Sequence, residues 1–284
     1  MPSCIGMSVN VPAYLERIGY SGLVSPTVDT LRGVHHAHML AVPFENLDIW
    51  RKRKIVLDPE RFVHKVVDER RGGFCYELNG AFAALLQAIG FRVTLLSARA
   101  ARDDGSYGQE FDHLTLRVDL DETWLADVGF GDAFLEPLQL KIGLDQKQGM
   151  RKFSIIKSDG VLLLARKYGW FRKPEYSFTL TPRKLEEFAG MCHYHQTSRN
   201  SPFTRKRVCT RAIPEGRITL TDRRLIVTKG SVRDEHPVTS QEQWYELLRE
   251  HFGVVLYQAA ELGRKAGSKS GDGTGAFKTI ATSS

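Results

Sequence analysis

The chain has 284 residues, and its 40 lysine and arginine residues outnumber 33 aspartate and glutamate residues, which gives a formal net charge of +7. Its 42% hydrophobic and 26% charged residues are typical of an ordinary soluble globular protein with a large core, organised as one domain or as two to three subdomains. No stretch approaches the roughly 20 apolar residues that a membrane helix needs, and the N-terminus lacks a secretory signal pattern. We therefore expect no membrane partner.

The four cysteines are few and widely separated: Cys4, Cys75, Cys192 and Cys209. Because no two of them form a Cys-x-x-Cys pair, the sequence predicts neither a disulfide framework nor a metal site. A reducing cytoplasm fits this pattern best.

Basic residues cluster in three short runs, at residues 51–54, 205–207 and 223–224. No nucleic-acid-binding motif accompanies them, so we expect no nucleic-acid partner. We interpret each run as solvated surface. The functional alternative is the attraction of a small polyanion such as a phosphorylated cofactor.

Four short helices are predicted in the first ninety residues. Apolar residues at helical spacing define the first two helices: Tyr14, Leu15 and Ile18, then Val28, Leu31, Val34 and Met39. The third helix begins after Asp58, an N-cap residue that is followed by Pro59. The fourth begins at Cys75 and ends at Gly90, a residue type that commonly terminates helices. The tight links between these helices indicate a bundle.

After Gly90 the apolar period changes from helical spacing to two, which predicts strands. The predicted strands span residues 92–96, 113–120, 123–128, 153–156, 161–164 and 176–180. A polar, glycine-bearing loop at residues 101–110 separates the first two strands. The middle of the chain is therefore predicted to be an antiparallel barrel or rolled sheet.

The last third of the chain is predicted to mix helices and strands. Its elements are a helix from Pro182, a polar loop at 196–204, a hairpin at 218–220 and 224–227, and a helix that follows the capping-box pattern at 240–243. Beyond Arg264 the composition is rich in glycine and serine, which predicts a flexible tail.

Cys75 lies where a glycine-opened turn runs into the apolar fourth helix. A helix N-terminus favours the thiolate and can help to lower a cysteine pKa from about 8.5 to roughly 3.5–7.5. A cysteine nucleophile also needs a histidine base and a third group that orients the histidine. An active Cys75 therefore predicts that the sequence supplies both groups.

His113 and Asp127 are the best candidates for the base and the orienting group. His113 opens an alternating strand on the face opposite its leucines, and Asp127 lies near the end of the partner strand. The two residues are directly opposite if the hairpin centres on Leu120, and diagonal neighbours if it centres on Asp121. A slip of one residue would place them on opposite faces. Glycines at 129 and 131 would let the backbone after Asp127 pass close to another group.

These residues resemble the arylamine N-acetyltransferase family. The resemblance rests on residues 71–79 (Arg-Gly-Gly-Phe-Cys-Tyr-Glu-Leu-Asn), on His113, and on residues 127–131 (Asp-Val-Gly-Phe-Gly), in that order. The run around Cys75 is highly specific. Supporting matches extend over most of the chain: residues 14–19 and 42–47, and Gln196, Thr197 and Ser198 with Ser201 and Phe203.

The resemblance implies an α+β fold with a cysteine-protease-like, transglutaminase-like core. We expect a helical bundle that carries the nucleophile at residues 1–90 and a β-barrel that carries His113 and Asp127 at 91–190. An α/β lid is expected at 191–264 and the flexible tail at 265–284. Glu45 and Arg71 are candidates for a buried ion pair that anchors the nucleophile loop.

The same resemblance implies that Cys75 is the acetyl-accepting nucleophile, His113 its base and Asp127 the orienting carboxylate. The implied reaction is ping-pong transfer from acetyl-coenzyme A to an aromatic amine or hydrazine, without a metal. The Cys75 N–H would be an oxyanion donor. We expect the enzyme to be a monomer or a homodimer.

The remaining site residues follow from the resemblance residue by residue. Phe130 matches a position that lines the acceptor pocket, where a ring could stack on an arylamine. Asn200 and Phe203 match coenzyme A contacts, and Gly108 would let the backbone approach the pantetheine and pyrophosphate groups.

Two other activities, and a homologue without activity, are the alternatives to acetyl transfer. The first is an amide synthase that releases a polyketide chain from a carrier protein, and the same three residues would serve it. A Cys-His-Asp amidohydrolase is disfavoured by the motif around Cys75. A catalytically silent homologue is disfavoured because all three residues are present.

Overall fold

The computed structural model describes residues 9–256. The flexible tail predicted at 265–284 lies outside the described residues, as does Cys4. The predicted boundaries between bundle, barrel and lid stay predictions.

The four predicted N-terminal helices are confirmed. The elements in this part of the chain are α1 (Val11–Ile18), α2 (Val28–Ala41), β1 (Phe44–Glu45), α3 (Leu47–Trp50), α4 (Pro59–Val67) and α5 (Cys75–Ile89). The Asp58 side chain accepts a hydrogen bond from the Glu60 N–H, which caps α4 as predicted. Gly90 ends α5 in the left-handed conformation. The short elements β1 and α3 were not predicted, because two to four residues are too few to show a period.

Eight strands form an antiparallel sheet that follows α5. They are β2 (Arg92–Ala100), β3 (His113–Asp119), β4 (Thr123–Ala126), β5 (Leu138–Gln139), β6 (Asp145–Gln148), β7 (Arg151–Ser158), β8 (Val161–Tyr168) and β9 (Phe171–Phe178). The strand order is β5-β4-β3-β2-β9-β8-β7-β6.

Hydrogen bonds between the two edge strands bring this sheet close to a closed barrel. The Gln139 N–H of β5 donates to Gln146 Oε1 of β6, and Gln146 Nε2 donates back to the Gln139 carbonyl oxygen. The barrel alternative predicted from the sequence is therefore confirmed. None of the helices within residues 9–256 is long and apolar enough to cross a membrane.

The β3–β4 hairpin has the register that centres on Asp121. Leu116 lies opposite Ala126, and Val118 lies opposite Trp124. Strand β4 ends at Ala126, so Asp127 lies just beyond the ladder and diagonal to His113. This register is one of the two that the sequence allowed.

The last part of the chain contains more strands than predicted. A 3₁₀ helix (Leu185–Phe188) leads into α6 (Ala189–Thr197) and α7 (Pro202–Arg205), followed by β10 (Val208–Ile213), β11 (Gly216–Thr221), β12 (Arg224–Lys229), β13 (Val232–Pro237) and α8 (Gln241–Phe252). The β11–β12 hairpin and α8 confirm the prediction, whereas the expected polar loop at 196–204 contains the end of α6 and most of α7. Strand β13 was missed because all of its residues are exposed, which removes the apolar alternation.

A second antiparallel sheet joins distant parts of the chain in the order β1-β10-β11-β12-β13. Its first pair sets Phe44 opposite Thr210 and Glu45 opposite Cys209. The Glu45 N–H also donates to the Gly73 carbonyl oxygen at 2.8 Å, so β1 connects the loop before Cys75 to the C-terminal strands.

The hydrophobic core has two clusters, one on each side of the β2–β3 layer. The first contains Cys75 and the apolar side of α5 together with Leu114, Leu116 and Val118 of β3. The second fills the barrel and contains Leu125, Phe153 and Tyr176. The start of α5 and the end of β4 meet where these clusters approach each other.

Candidate active site

Cys75 is the first residue of α5 and is 3% exposed. Glu77 holds this helix start, because its Oε2 accepts a hydrogen bond of 3.1 Å from the Phe74 N–H. The N–H groups of a first helical turn have no intrahelical acceptor. The Cys75 N–H therefore has no acceptor within α5, in line with its predicted role as an oxyanion donor.

A buried cluster of five charged side chains anchors the nucleophile loop. Arg71 Nη2 lies 2.7 Å from Glu45 Oε1, and Arg71 Nη1 lies 2.8 Å from Asp48 Oδ1. Lys65 Nζ lies 2.9 Å from Asp48 Oδ2 and 2.7 Å from Glu77 Oε1. The predicted Glu45–Arg71 ion pair is confirmed. Through Glu77, the cluster reaches the helix start that carries Cys75.

His113 and Asp127 form a buried hydrogen-bonded pair. His113 Nε2–H donates to Asp127 Oδ2 at 2.6 Å, and the side chains are 4% and 0% exposed. Burial alone would raise the Asp127 pKa. The nearby His113 and the hydrogen bonds from His113, Asn79 and the Gly129 N–H outweigh burial and lower the pKa below its usual value. Asp127 is therefore a carboxylate that holds His113 in one tautomer, with Nδ1 as the free proton acceptor.

Asn79 ties the nucleophile helix to both strands of the hairpin. Its Nδ2 donates to Asp127 Oδ1 at 2.9 Å and to the Leu114 carbonyl oxygen at 2.6 Å. Its Oδ1 accepts from the Val128 N–H at 2.9 Å. Asn79 lies one helical turn after Cys75, so the two side chains share a face of α5.

The glycine after Val128 lets the Asp127 loop touch the backbone of Cys75. A Cβ atom at Gly129 would lie 2.9 Å from both the Cys75 Cα and the Cys75 carbonyl oxygen. Real Cβ contacts are not this short, so Gly129 permits an approach that other residues would block. The close passage expected from the sequence is confirmed, and its partner is Cys75, the predicted nucleophile.

Burial raises the pKa of the Cys75 thiol well above its usual value, whereas a hydrogen bond from the Leu114 backbone lowers it. The nearby carboxylates Asp112 and Asp127 add to the increase. The sequence suggested that the helix N-terminus could help to lower the Cys75 pKa. In the structure, the effect of burial is larger, so the helix N-terminus alone does not produce a thiolate. Ionisation of Cys75 therefore requires a local proton acceptor. His113 is the candidate, because it is the residue directly before Leu114, whose backbone hydrogen bonds to the Cys75 thiol.

Phe130 and Tyr176 pack around the His113 ring. The Phe130 ring centre lies 5.1 Å from that of His113, at an interplanar angle of 72°. Tyr176 lies 5.2 Å from His113 and 5.1 Å from Phe130, and its hydroxyl hydrogen bonds with Thr115. Phe130 is only partly buried, whereas His113 and Tyr176 are buried.

The three residues predicted to contact coenzyme A have different surroundings. Asn200 is exposed next to α7, and its Oδ1 accepts a long hydrogen bond of 3.5 Å from Arg205. Phe203 packs its ring against Phe44, Phe74 and His195. A Cβ atom at Gly108 would lie 2.1 Å from Asp112 Oδ2, so an internal contact already requires glycine there.

Sequence reasoning missed His35, which lies in α2. Its Nε2 accepts the Asp127 N–H at 3.1 Å, and its Nδ1–H donates to the Leu135 carbonyl oxygen at 2.8 Å. His35 is 92 residues from Asp127, and no local pattern connects them. Asn79, by contrast, could have been found from its helical spacing to Cys75.

Comparison with known proteins identifies the family. The family model described as "N-acetyltransferase" matches residues 27–261. A human relative, arylamine N-acetyltransferase 1, is 32% identical, and the alignment covers 87% of this chain and 95% of the relative. The chain belongs to the arylamine N-acetyltransferase family.

Solved arylamine N-acetyltransferase structures share the fold over nearly the full length. The enzyme from Salmonella typhimurium superposes with a TM-score of 0.84 at 30% identity, covering 91% of this chain and 98% of that chain. The Mycobacterium marinum enzyme, solved in complex with CoA, gives a TM-score of 0.81 at 28% identity, covering 86% and 93%. The predicted α+β arylamine N-acetyltransferase fold is confirmed, and the chain is an acyltransferase of this family.

Proposed function

We propose that this protein transfers the acetyl group of acetyl-coenzyme A to aromatic amines and hydrazines through an acetyl-Cys75 intermediate. The observation that carries the proposal is the buried His113–Asp127 pair in a chain of the arylamine N-acetyltransferase family. Residues next to this pair reach Cys75, because the Leu114 backbone hydrogen bonds to its thiol and Gly129 lies against its backbone. The close relation to a family member solved with CoA supports the choice of donor.

In the first half-reaction, His113 Nδ1 takes the proton of Cys75 Sγ. The thiolate then attacks the thioester carbonyl carbon, and the Cys75 N–H donates to the developing oxyanion. The carbon–sulfur bond to coenzyme A breaks, the new bond to Cys75 Sγ remains, and the imidazolium returns its proton to the departing thiolate. Asp127 stabilises the imidazolium while it carries this proton.

In the second half-reaction, the acceptor nitrogen attacks the acetyl-Cys75 carbonyl carbon. His113 Nδ1 removes a proton from the nitrogen and gives it to Cys75 Sγ as the thioester bond breaks. Amide and free thiol result, so each half-reaction balances with no further reactant. We propose that Phe130 lines the acceptor site, because this residue is only partly buried and its ring packs against His113.

For coenzyme A we propose contacts from Asn200, Phe203 and Gly108. Exposure of the Asn200 amide supports a role at the outer end of the cofactor. Phe203 packs against His195, and Gly108 lies against Asp112. These contacts support a contribution of both residues to the shape of the surface that would bind coenzyme A. We further propose a monomer or homodimer. A cytoplasmic location is in line with the few cysteines of the chain, since Cys75, Cys192 and Cys209 are free thiols.

The decisive experiment measures the intact mass of the protein after incubation with acetyl-coenzyme A alone. We expect a gain of one acetyl group, loss of this gain in Cys75→Ala, and discharge of the adduct by an arylamine or hydrazine. Cys192→Ala is the matched control, because this second buried thiol should not carry the acetyl group. Persistent absence of an adduct on the wild-type protein would refute the proposal. Release of acetate to water instead of the amine would favour the amidohydrolase alternative.

A further inference from the structure

We propose that His35 is a positioning residue for this reaction, acting through the backbone of Asp127. The inference rests on the proposed roles of Cys75, His113 and Asp127 and adds a fourth side chain behind them. His35 is fully buried in α2 and touches neither Cys75 nor His113 through any hydrogen bond recorded for residues 9–256.

The need for His35 arises from the end of the β4 ladder. The last residue of β4 is Ala126, and its neighbour on the other side, β5, pairs with Trp124 and Leu125 and is two residues long. Asp127 therefore leaves the sheet with its N–H directed away from a strand partner. Because a buried unpaired N–H is costly, this position requires an acceptor. His35 Nε2 supplies it at 3.1 Å.

The second ring nitrogen determines which tautomer of His35 is present. Nδ1 lies 2.8 Å from the Leu135 carbonyl oxygen, which can only accept, so Nδ1 carries the proton and Nε2 is left as an acceptor. The ring orientation is fixed by Phe134, which stacks at 5.5 Å, and by Phe82, which meets its edge at 5.7 Å. The Asp127 N–H therefore faces one rigidly held acceptor.

The charge of His35 is as important as its geometry. Burial lowers the pKa of His35 to about 4, so the ring is neutral at neutral pH. A second imidazolium beside Asp127 would compete with His113 for the negative charge of the carboxylate. A neutral His35 leaves that charge available to His113, the ring that becomes cationic during acetyl transfer.

Asp127 is thus held from three directions. Asn79 of α5 and the Gly129 N–H fix its Oδ1, His113 contacts its Oδ2, and His35 fixes its backbone. A carboxylate that must meet His113 at 2.6 Å tolerates little displacement. Loss of the His35 contact should therefore affect the chemical step more than substrate binding.

The chain contains a matched control for this proposal. His38 lies on the same helix, is also fully buried and packs against the same Phe82, with ring centres 5.3 Å apart. Its Nδ1 lies 3.3 Å from the Tyr14 hydroxyl, and no contact with Asp127 is recorded for it. Replacing either histidine by phenylalanine removes the two nitrogen atoms of one buried imidazole ring from α2. Of the two histidines, only His35 hydrogen bonds with Asp127.

The test compares His35→Phe, His35→Gln and His38→Phe in steady-state acetylation of an arylamine at matched folded fractions. We expect His35→Phe to lower kcat by about tenfold to a hundredfold with little change in KM for the amine or acetyl-coenzyme A. His35→Gln should recover most of kcat, because its amide offers an acceptor to the Asp127 N–H and a donor to Leu135. His38→Phe should lower the melting temperature while keeping kcat within about threefold of wild type.

A second readout does not depend on acetyl transfer. The rate of Cys75 alkylation by iodoacetamide, measured against pH, reports proton transfer from Cys75 to His113 whichever substrate the enzyme uses. We expect His35→Phe, but not His38→Phe, to slow alkylation at neutral pH by about tenfold. Equal effects of the two phenylalanine variants on kcat and on alkylation would overturn the proposal and leave His35 a packing residue. A wild-type protein that cannot acetylate amines would refute the proposed function, while the alkylation rates would still decide the role of His35.

Discussion

Asp127→Asn tests the orienting carboxylate with almost no change in shape. In the native site, Oδ1 of Asp127 accepts from two donors, Asn79 Nδ2 and the Gly129 N–H, while Oδ2 accepts from His113. The amide of the variant has one oxygen, and the two donors hold it at the Oδ1 position. Its NH₂ group then faces His113 Nε2 and forces that nitrogen to accept. The His113 proton moves to Nδ1, the atom that must take the proton from Cys75.

The magnitude of the effect follows from the alternative amide orientation. Turning the amide to accept from His113 would place NH₂ against Asn79 and Gly129, with the loss of two buried hydrogen bonds. At about 1–3 kcal/mol for each of the two unpaired groups, the productive arrangement costs roughly 2–6 kcal/mol, a population decrease of about 30-fold to 3 × 10⁴-fold. We expect the rate of coenzyme A release from acetyl-coenzyme A to fall by a similar factor.

The assay follows the first turnover, in which coenzyme A thiol is released before any amine is added. Asp119→Asn is the matched control, because Asp119 lies in the same hairpin and pairs with Arg117 at 3.1 Å without contacting the site. This control should remain within about twofold of wild type. An Asp127→Asn enzyme that is folded and reacts within about tenfold of wild type would refute the tautomer argument.

Three further changes test the surroundings of the site. Gly129→Ala places a Cβ 2.9 Å from backbone atoms of Cys75, so we expect at least about a tenfold lower kcat. Gly190→Ala is the control and should react like wild type, because a Cβ at Gly190 would have no atom within 4 Å. Equal rates for the two variants would contradict the close-approach argument. Arg71→Met removes one cation from the buried cluster, and urea unfolding should show a free energy of unfolding lower by about 3–5 kcal/mol. The control Arg117→Met, which removes a partly exposed arginine, should lower it by about 1 kcal/mol or less. Similar losses for the two variants would show that burial of the cluster is unimportant. Neighbouring cations lower the pKa of Asp48 to about 2, although burial opposes them. The Asp48 carboxylate therefore stabilises the folded state above its unfolded pKa of about 3.9, and this stabilisation is lost as the pH falls toward 2. The difference in free energy of unfolding between wild type and Asp48→Asn should shrink over that range. A difference that does not depend on pH would contradict this prediction.

Local sequence patterns were sufficient for the elements that interact with their immediate neighbours. The helix that begins at Cys75 and ends at Gly90 follows from apolar spacing and a glycine terminus. The hairpin between His113 and Asp127 follows from period-two alternation, and it restricted the register to two productive choices. Strands β1 and β13 had no such signal, because the first is two residues long and the second is exposed throughout.

The sequence by itself determined the family and predicted the nucleophile, the base and the orienting carboxylate, because these residues lie in short segments with specific order and spacing. Tertiary structure decided how they are held. It chose the hairpin register, brought Gly129 onto the backbone of Cys75, and placed His35 behind Asp127. It also determined the protonation behaviour, because burial raises the Cys75 pKa and lowers that of His35. Burial and contacts between residues about 50 to 90 positions apart depend on how helices and strands pack, and no local pattern in the sequence encodes them.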